Sequence, residues 1–240
     1  VGAYDDVDGN TDGVQIAALN GPASTVIAGD EETVLSLTAH WRNQGRKTKR
    51  LQVSHAFHSH HMQPMLAQFR QVTESLTYLP PQVPLISNLT GRTATTEEIT
   101  SPEYWVRHAR EAVRFADGIN ELHTLGVTTY LEIGPDAVLT AMTRDTLLAD
   151  DVAELEFVPS VRRDRPEAAA VVTALARMHV RGSGPDWRAV FAGRGSRTVE
   201  LPTYAFQHRS YWLRAESGPR GDAVTGLGLG SAGHPLLGAV

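Results

Sequence analysis

Segments with strand character alternate with segments of helical periodicity along this chain, and this alternation constrains the fold more than any other feature. Apolar and β-branched runs bounded by turn residues predict strands at residues 14–19, 25–28, 49–53, 83–87, 128–133 and 156–159. Apolar positions at helical spacing predict helices at residues 33–44, 62–79, 102–125, 137–148 and 167–181. Because the strands alternate with helices, the sequence predicts an α/β fold.

The C-terminal part has a different composition. The change comes at Gly182, residues 199–206 have extended character, and residues 216–233 are glycine-rich without apolar periodicity. This pattern predicts a structural boundary near Leu213, with too few residues after the linker for a further domain.

The composition excludes several classes of protein. With 41% hydrophobic and 20% charged residues in 240, the chain resembles a globular protein with a substantial core. A formal net charge of -5 gives no broad basic surface for nucleic acid. The local cluster Arg46, Lys47, Lys49 and Arg50 is interpreted as a solvated turn, with a polyanion site as the alternative.

Two further absences bear on location and chemistry. The sequence has no cysteine, which excludes disulfides, zinc-thiolate sites and a cysteine nucleophile. No apolar run reaches the ~18 residues of a membrane span, and the acidic, glycine-rich residues 1–13 are unlike a signal peptide. We therefore expect a cytoplasmic protein without a membrane partner.

Four of the ten histidines lie close together between a predicted strand and a predicted helix: His55, His58, His60 and His61. A transition-metal site is one interpretation, since imidazole binds zinc, copper and nickel. However, no cysteine is available, Ala56 stands where a zincin needs glutamate, and no pair has certain i, i+4 helical spacing. We therefore expect no metal here.

The other two interpretations of the cluster are histidines without a role and a general base. An imidazole titrates near neutral pH, so it can take a proton from a hydroxyl nucleophile and return it to a leaving thiol. From the spacing of the histidines alone, a general base and histidines without a role are equally well supported.

A motif around the cluster distinguishes them. The segment Leu51-Gln-Val-Ser-His-Ala-Phe-His-Ser-His-His-Met62 resembles the acyltransferase signature of modular type I polyketide synthases, in which the quartet His55-Ala56-Phe57-His58 ends in the catalytic histidine. Other matching motifs follow in the family's order: Ala18-Leu-Asn-Gly-Pro-Ala-Ser24, Ser87-Asn-Leu-Thr-Gly91, Tyr104-Trp-Val-Arg-His-Ala-Arg110, Val113-Arg-Phe115 and Glu132-Ile-Gly-Pro135. The resemblance covers residues 14–213.

The resemblance implies the remainder of a fold similar to malonyl-CoA:acyl carrier protein transacylase, followed by an extended linker. Residues 1–13 would be an acidic lead-in, 14–54 part of a small ferredoxin-like α+β subdomain, and 55–181 the C-terminal part of the large α/β subdomain. Residues 182–213 would be the linker that follows the acyltransferase, because the block from Leu201 to Trp212 resembles it. Residues 214–233 would be a flexible Gly-rich linker, and 234–240 resemble the start of a dehydratase domain.

The resemblance also implies chemistry. Members of this family pass an extender acyl group from coenzyme A to the phosphopantetheine of an acyl carrier protein through an acyl-serine. His58 would be the general base, and His108 would supply the backbone carbonyl that orients its second ring nitrogen, with helix packing as the alternative for His108. Phe57 would favour malonyl over methylmalonyl by filling the space of the α-methyl group, and His55 would form the same pocket wall. Core packing is the alternative for Phe57.

The sequence departs from the family in one respect. It contains no Gly-x-Ser-x-Gly, and Gly228-Leu-Gly-Ser231-Ala-Gly233 has the wrong spacing. We therefore expect the serine, with the arginine that pairs with the malonyl carboxylate, to belong to an N-terminal half, and the chain to be inactive alone. The expected substrate is malonyl-CoA, with no cofactor bound to this segment. The expected partners are the acyl carrier protein, that N-terminal half, and neighbouring ketosynthase and dehydratase domains. A non-catalytic docking segment is the alternative function.

Overall fold

The computed structural model describes residues 12–147 and 154–205. The chain divides into two units, Val1–Val190 and Phe191–Val240. The predictions for residues 1–11, for the Gly-rich linker at 214–233, for the dehydratase start at 234–240 and for most of the block ending at Trp212 lie outside the described residues. None of the described helices is long and apolar enough to cross a membrane.

The first unit begins with a β-hairpin followed by a helix, as predicted. Strand β1 (Val14–Gly21) pairs antiparallel with β2 (Ser24–Gly29), and α1 (Glu31–Asn43) follows. The predicted hairpin turn at residues 20–22 is confirmed within two residues. At its far end, the amide of Asp30 donates to the carbonyl of Gly13 at 2.8 Å, which closes the hairpin before α1 begins.

A helical layer follows the histidine cluster. A short 3₁₀ turn (His60–Met62) leads into α2 (Gln63–Glu74), which packs against α4 (Pro102–Arg110). An ion pair between Arg70 and Glu103 joins these two helices. The short α3 (Thr96–Ile99) has a complete capping box and supports the start of α4 through Ile99, which is buried with Leu89 and Tyr104.

The α/β part comes next and confirms the predicted alternation. Helix α5 (Phe115–Thr124) precedes β3 (Thr129–Glu132), α6 (Val138–Leu147), β4 (Glu156–Pro159) and α7 (Glu167–Val180). Strands β3 and β4 are parallel, as expected for strands connected through a helix. Their core consists of four buried residues, Ile119, Tyr130, Leu147 and Phe157.

Glu132 connects this sheet to α6. Although largely buried, its carboxylate accepts from the amides of Leu139 and Thr140 at 3.0 and 2.7 Å and from the Thr140 hydroxyl at 2.9 Å. The first amides of a helix lack intrahelical acceptors, so a carboxylate at this position satisfies them and complements the helix dipole. The glutamate of the Glu132-Ile-Gly-Pro135 motif thus has a structural role.

Two predicted strands do not form. Residues 49–53 are exposed and have no regular structure, and in 83–87 only Ile86 makes an isolated bridge, to Thr93. A strand is stabilised by its neighbours, and the described residues offer none to residues 49–53.

The predicted helix at 62–79 ends earlier, at Glu74. The hydroxyl of Ser75 donates to the carbonyl of Val72 at 2.7 Å, and the hydroxyl of Tyr78 donates to that of Thr73 at 3.0 Å. The same two carbonyls also accept from the amides of Ser75 and Leu76, three residues on in each case, and these tighter bonds end the α-helix.

The predicted helix at 102–125 is interrupted between α4 and α5. Val113 leaves the helical path because its amide donates to Ala17 at 2.9 Å and its carbonyl accepts from Leu19 at 2.8 Å, as an extra partner of β1. Arg114 also donates its amide to Asn88 at 2.8 Å. These long-range bonds replace helical ones and fix the segment beginning at Glu111.

The composition change at Gly182 does not coincide with the division at residue 190. Helix α8 (Trp187–Phe191) follows it, and the indole of Trp187 donates to Nδ1 of His179 on α7 at 3.1 Å. This contact holds the segment after Gly182 against the preceding helix. In the second unit, residues 197–205 have no helix or strand.

Candidate active site around His58

His58 lies in a tight turn between the exposed segment 49–55 and the 3₁₀ turn. Its φ of 59° makes it the one non-glycine residue with positive φ among those described. A side chain in this left-handed region costs roughly 1–2 kcal/mol, and such residues cluster at functional sites. The turn is held by Ser59, a fully buried residue whose hydroxyl donates to the carbonyl of Ala56 at 2.5 Å.

The carbonyl that orients the His58 ring belongs to Glu111. Nδ1 of His58 lies 2.8 Å from this oxygen, which follows the last residue of α4. His108 was predicted to supply this carbonyl, and the structure corrects that prediction. The reason is the interruption after α4, which turns the Glu111 carbonyl out of the helix, three residues beyond the predicted position.

This contact determines the tautomer of neutral His58. A carbonyl can only accept a hydrogen bond, so Nδ1 must carry the proton and Nε2 keeps a free lone pair. An imidazole held in this form is a general base at Nε2. The accepting carbonyl belongs to the C-cap residue of α4.

The Glu111 side chain is held separately from its carbonyl. Its carboxylate accepts from Nε and Nη2 of Arg107 at 2.7 and 3.1 Å, a bidentate pair one helical turn apart. These hydrogen bonds raise the pKa of Arg107. Sequence analysis missed Glu111, and the i, i+4 spacing of Arg107 and Glu111 is the one local signal for it.

His108 instead packs near His58. Its ring stacks on Tyr104 with centroids 5.9 Å apart and is partly buried. Burial lowers the pKa of His108, and the nearby charge of His58 lowers it further. The lowered pKa disfavours a positive charge on the His108 ring beside His58.

The lowered pKa of His108 predicts a pH dependence of stability. As the pH falls below the unfolded value of 6.5, the unfolded chain binds a proton that the folded chain resists, so the contribution of His108 to the free energy of unfolding falls between that pH and the lower folded pKa and changes no further below it. Since the His108 ring is partly exposed, we expect it to change the free energy of unfolding by less than about 1 kcal/mol. Urea unfolding at pH 7.5 and 5.5 should show a smaller loss in His108→Phe than in the wild type. The exposed His40→Phe is the matched control, and equal losses in all three proteins would contradict the prediction.

His55 and Phe57 lie beside the turn and are exposed. Their ring centroids are 5.9 Å apart, and Nδ1 of His55 contacts the Ser54 hydroxyl at 2.9 Å. Phe57 is 49% exposed, so in this chain it is not a core residue. His55 also borders an open depression of about 730 Å³ between the start of α1 and the histidine segment.

No described serine is placed as a nucleophile for His58. In residues 12–147 and 154–205, the recorded partner of the His58 ring is the Glu111 carbonyl, and no serine hydroxyl bonds to it. Ser59 and Ser87 are fully buried, and the Ser87 hydroxyl is 2.7 Å from that of Tyr104. Among the described residues, no serine hydroxyl is therefore hydrogen-bonded to the His58 ring.

The remaining two histidines of the cluster contact a common carboxylate. Nε2 of His60 and Nε2 of His61 lie 3.2 and 2.9 Å from Oδ1 of Asp30. These three residues are the described group with ligand atoms close enough to hold a metal ion.

Comparison with known sequences gives the family. Residues 6–185 match the family model described as the acyl transferase domain. Polyketide synthase GfsA of Streptomyces halstedii is 52% identical over 97% of this chain, which is 3% of that synthase. The chain thus spans a small fraction of the curated relatives that it matches.

Solved structures agree with this match. The acyltransferase domain from the second module of the salinomycin polyketide synthase superimposes with a TM-score of 0.72 at 50% identity, covering 82% of this chain and 45% of that domain. A malonyl-transacylase solved with its type II polyketide synthase acyl-carrier protein, PlMCAT:AntF, gives a TM-score of 0.58 at 27% identity, covering 68% of this chain and 50% of that one. With its α/β fold and a family match over most of its length, this chain belongs to the acyl transferase domain family of the modular type I polyketide synthases.

Proposed function

We propose that this chain is the base-bearing part of an acyltransferase that loads a malonyl unit from coenzyme A onto an acyl carrier protein. The single observation that carries the proposal is the 2.8 Å contact between Nδ1 of His58 and the Glu111 carbonyl, because it leaves Nε2 free to accept a proton. Acyl transfer to a serine needs such a base within reach of the hydroxyl.

The reaction would proceed in two balanced steps. Nε2 of His58 takes the proton of a serine hydroxyl as the oxygen attacks the thioester, and returns it to the coenzyme A thiolate that leaves. In the second step, the same nitrogen takes the proton from the phosphopantetheine thiol, which attacks the acyl-serine, and returns it to the serine oxygen. His58 ends each step in its starting form, so no further proton donor is required.

The nucleophile would come from a polypeptide segment outside this chain. The sequence has no Gly-x-Ser-x-Gly, and this chain matches 45% of the salinomycin acyltransferase domain. The part of the salinomycin domain that this chain does not match is large enough to carry the serine elbow and the arginine for the malonyl carboxylate.

One solved structure supports both the proposed acyl donor and the proposed acyl acceptor. The PlMCAT:AntF structure is described as a malonyl-transacylase in complex with an acyl-carrier protein, which supports a malonyl donor and a carrier-protein partner here. The test is to incubate a domain that contains this chain and its serine with labelled malonyl-CoA and holo carrier protein. Label on the phosphopantetheine supports the proposal, and label that remains on coenzyme A contradicts it.

Phe57 is the residue that we propose causes the preference for malonyl over methylmalonyl. Its exposed ring, beside His55 and one residue before the base, can occupy the space that an α-methyl group would need. Phe57→Ser should therefore raise methylmalonyl transfer relative to malonyl by roughly 5- to 150-fold, since one methyl contact is worth ~1–3 kcal/mol. The measurement is the ratio of the two kcat/KM values in a mixed-substrate assay. Phe69→Ser on α2 is the control, and an unchanged ratio in Phe57→Ser would contradict the assignment.

A further inference from the structure

We propose that Asp30, His60 and His61 form a binding site for a divalent transition-metal ion such as Zn²⁺ or Ni²⁺. All three ligand atoms lie within 4.8 Å of one another. The proposed acyl transfer does not use these residues, so the site is independent of that reaction.

The spacing of the ligand atoms fits a coordination sphere. With metal–ligand bonds of about 2.1 Å, neighbouring ligands are about 3.0 Å apart in an octahedral sphere and about 3.4 Å apart in a tetrahedral one. The two histidine nitrogens lie 3.2 and 2.9 Å from the Asp30 oxygen. An ion would need only small side-chain rotations to replace the His61 hydrogen bond and the His60 contact to this oxygen.

The two rings converge although they are neighbours in sequence. Adjacent side chains of a 3₁₀ turn point about 120° apart around its axis. Here, the imidazoles of His60 and His61 are 4.2 Å apart at 33°, and both Nε2 atoms face one carboxylate oxygen. The positioning that a chelating pair requires is therefore already present.

The backbone on both sides of the site is fixed. Asp30 precedes α1, with its amide bonded to Gly13 at 2.8 Å and its carbonyl to the amide of Val34 at 2.9 Å. On the other side, the buried Ser59 accepts from the amide of His61 at 3.3 Å and caps the 3₁₀ turn. Ligands held in this way lose little conformational freedom on binding.

The surroundings allow an ion to enter. The side chains of His60, His61 and Asp30 are 41%, 48% and 49% exposed, so the other coordination positions would hold water. Asp30 and His61 border the open depression of about 730 Å³ together with Glu31 and Glu32. Glu31 is neutralised by Arg50 at 2.6 Å, which leaves the Glu32 carboxylate to favour a cation.

The ligand types determine which ions bind. Two imidazoles and one carboxylate suit zinc, copper and nickel, whereas magnesium and calcium prefer all-oxygen sites. The expectation of no metal rested on the ligands that the histidine segment alone offers. The third ligand is 31 positions earlier in the chain.

Titration of the untagged 240-residue chain with Co²⁺, Ni²⁺ and Zn²⁺ tests the site. We expect one equivalent to bind, with visible Co²⁺ absorption that Zn²⁺ removes and a large excess of Mg²⁺ leaves unchanged. His61→Gln and Asp30→Asn should each weaken binding at least about tenfold, as loss of a ligand does. His55→Gln, in the same segment, and His40→Gln, on α1, are matched controls that should bind normally.

Circular dichroism of each variant separates loss of ligand from loss of fold, and His60→Gln replaces any variant that is unfolded. Binding that is equally strong in the folded ligand variants would overturn the proposal. So would equal weakening in His55→Gln, or a stoichiometry that remains at one equivalent after two of the three ligands are removed. A fall in thermal stability of Asp30→Asn with unchanged metal affinity would show that the cluster only links the hairpin to the 3₁₀ turn, and it too would overturn the proposal.

Discussion

Replacing His58 by alanine in a domain that also contains the serine should lower malonyl transfer by ~10²–10⁴-fold, the usual contribution of a positioned general base. The loss should fall on kcat/KM for both half-reactions, because the same nitrogen accepts and returns a proton in each. In the wild type, Nδ1 of His58 cannot take the place of Nε2 as the proton acceptor, because it donates to the Glu111 carbonyl. The measurements are the rates of serine acylation from malonyl-CoA and of transfer to the carrier protein.

The unusual backbone of His58 provides a matched pair of variants. At a φ of 59°, alanine keeps the strain that histidine has, whereas glycine relieves it and should be more stable by about 1 kcal/mol. If the imidazole is the base, His58→Gly and His58→Ala lose transfer equally although they differ in stability. Added imidazole should partly restore both variants and leave the wild type unchanged. Recovery of transfer in the glycine variant without imidazole would indicate a structural role and contradict the assignment.

Local patterns predicted those elements whose partners are near in sequence. The hairpin β1–β2, α1 and the β3–α6–β4 unit lie close to their predicted positions, because a turn or one helix connects their strands. Residues 49–53 have strand-like composition but no strand partner among the described residues. Composition alone was therefore insufficient to predict a strand there. The strand predicted there was wrong for this reason.

The candidate site shows the same limit. The quartet His55-Ala56-Phe57-His58 pointed to His58 as a candidate base by resemblance, since the motif is contiguous. The carbonyl at Glu111 could not be found in this way, because it depends on Val113 leaving a helix to pair with β1, almost a hundred residues earlier. No glycine or proline marks the interruption in the sequence. Likewise, the contact of His61 with Asp30 crosses 31 positions and has no local signal.

The second large effect concerns the nucleophile. Incubated alone with labelled malonyl-CoA, this chain should form no acyl-serine, because no described serine contacts His58 and the two most buried, Ser59 and Ser87, bond within the fold. A covalent fusion to a segment with a Gly-His-Ser-x-Gly elbow should then take up close to one malonyl group per chain.

Mass spectrometry after rapid quenching measures this result and locates the ester. The control is the same fusion with its elbow serine replaced by alanine, which should remain unlabelled although His58 is present. A His58→Ala fusion should label slowly, which separates a missing base from a missing nucleophile. Rapid, stoichiometric acylation of the isolated chain would contradict the proposed division of the catalytic pair, since the nucleophile would then lie within these 240 residues. A fusion that folds, binds malonyl-CoA and still forms no ester would contradict the assignment of His58 as the base for that serine.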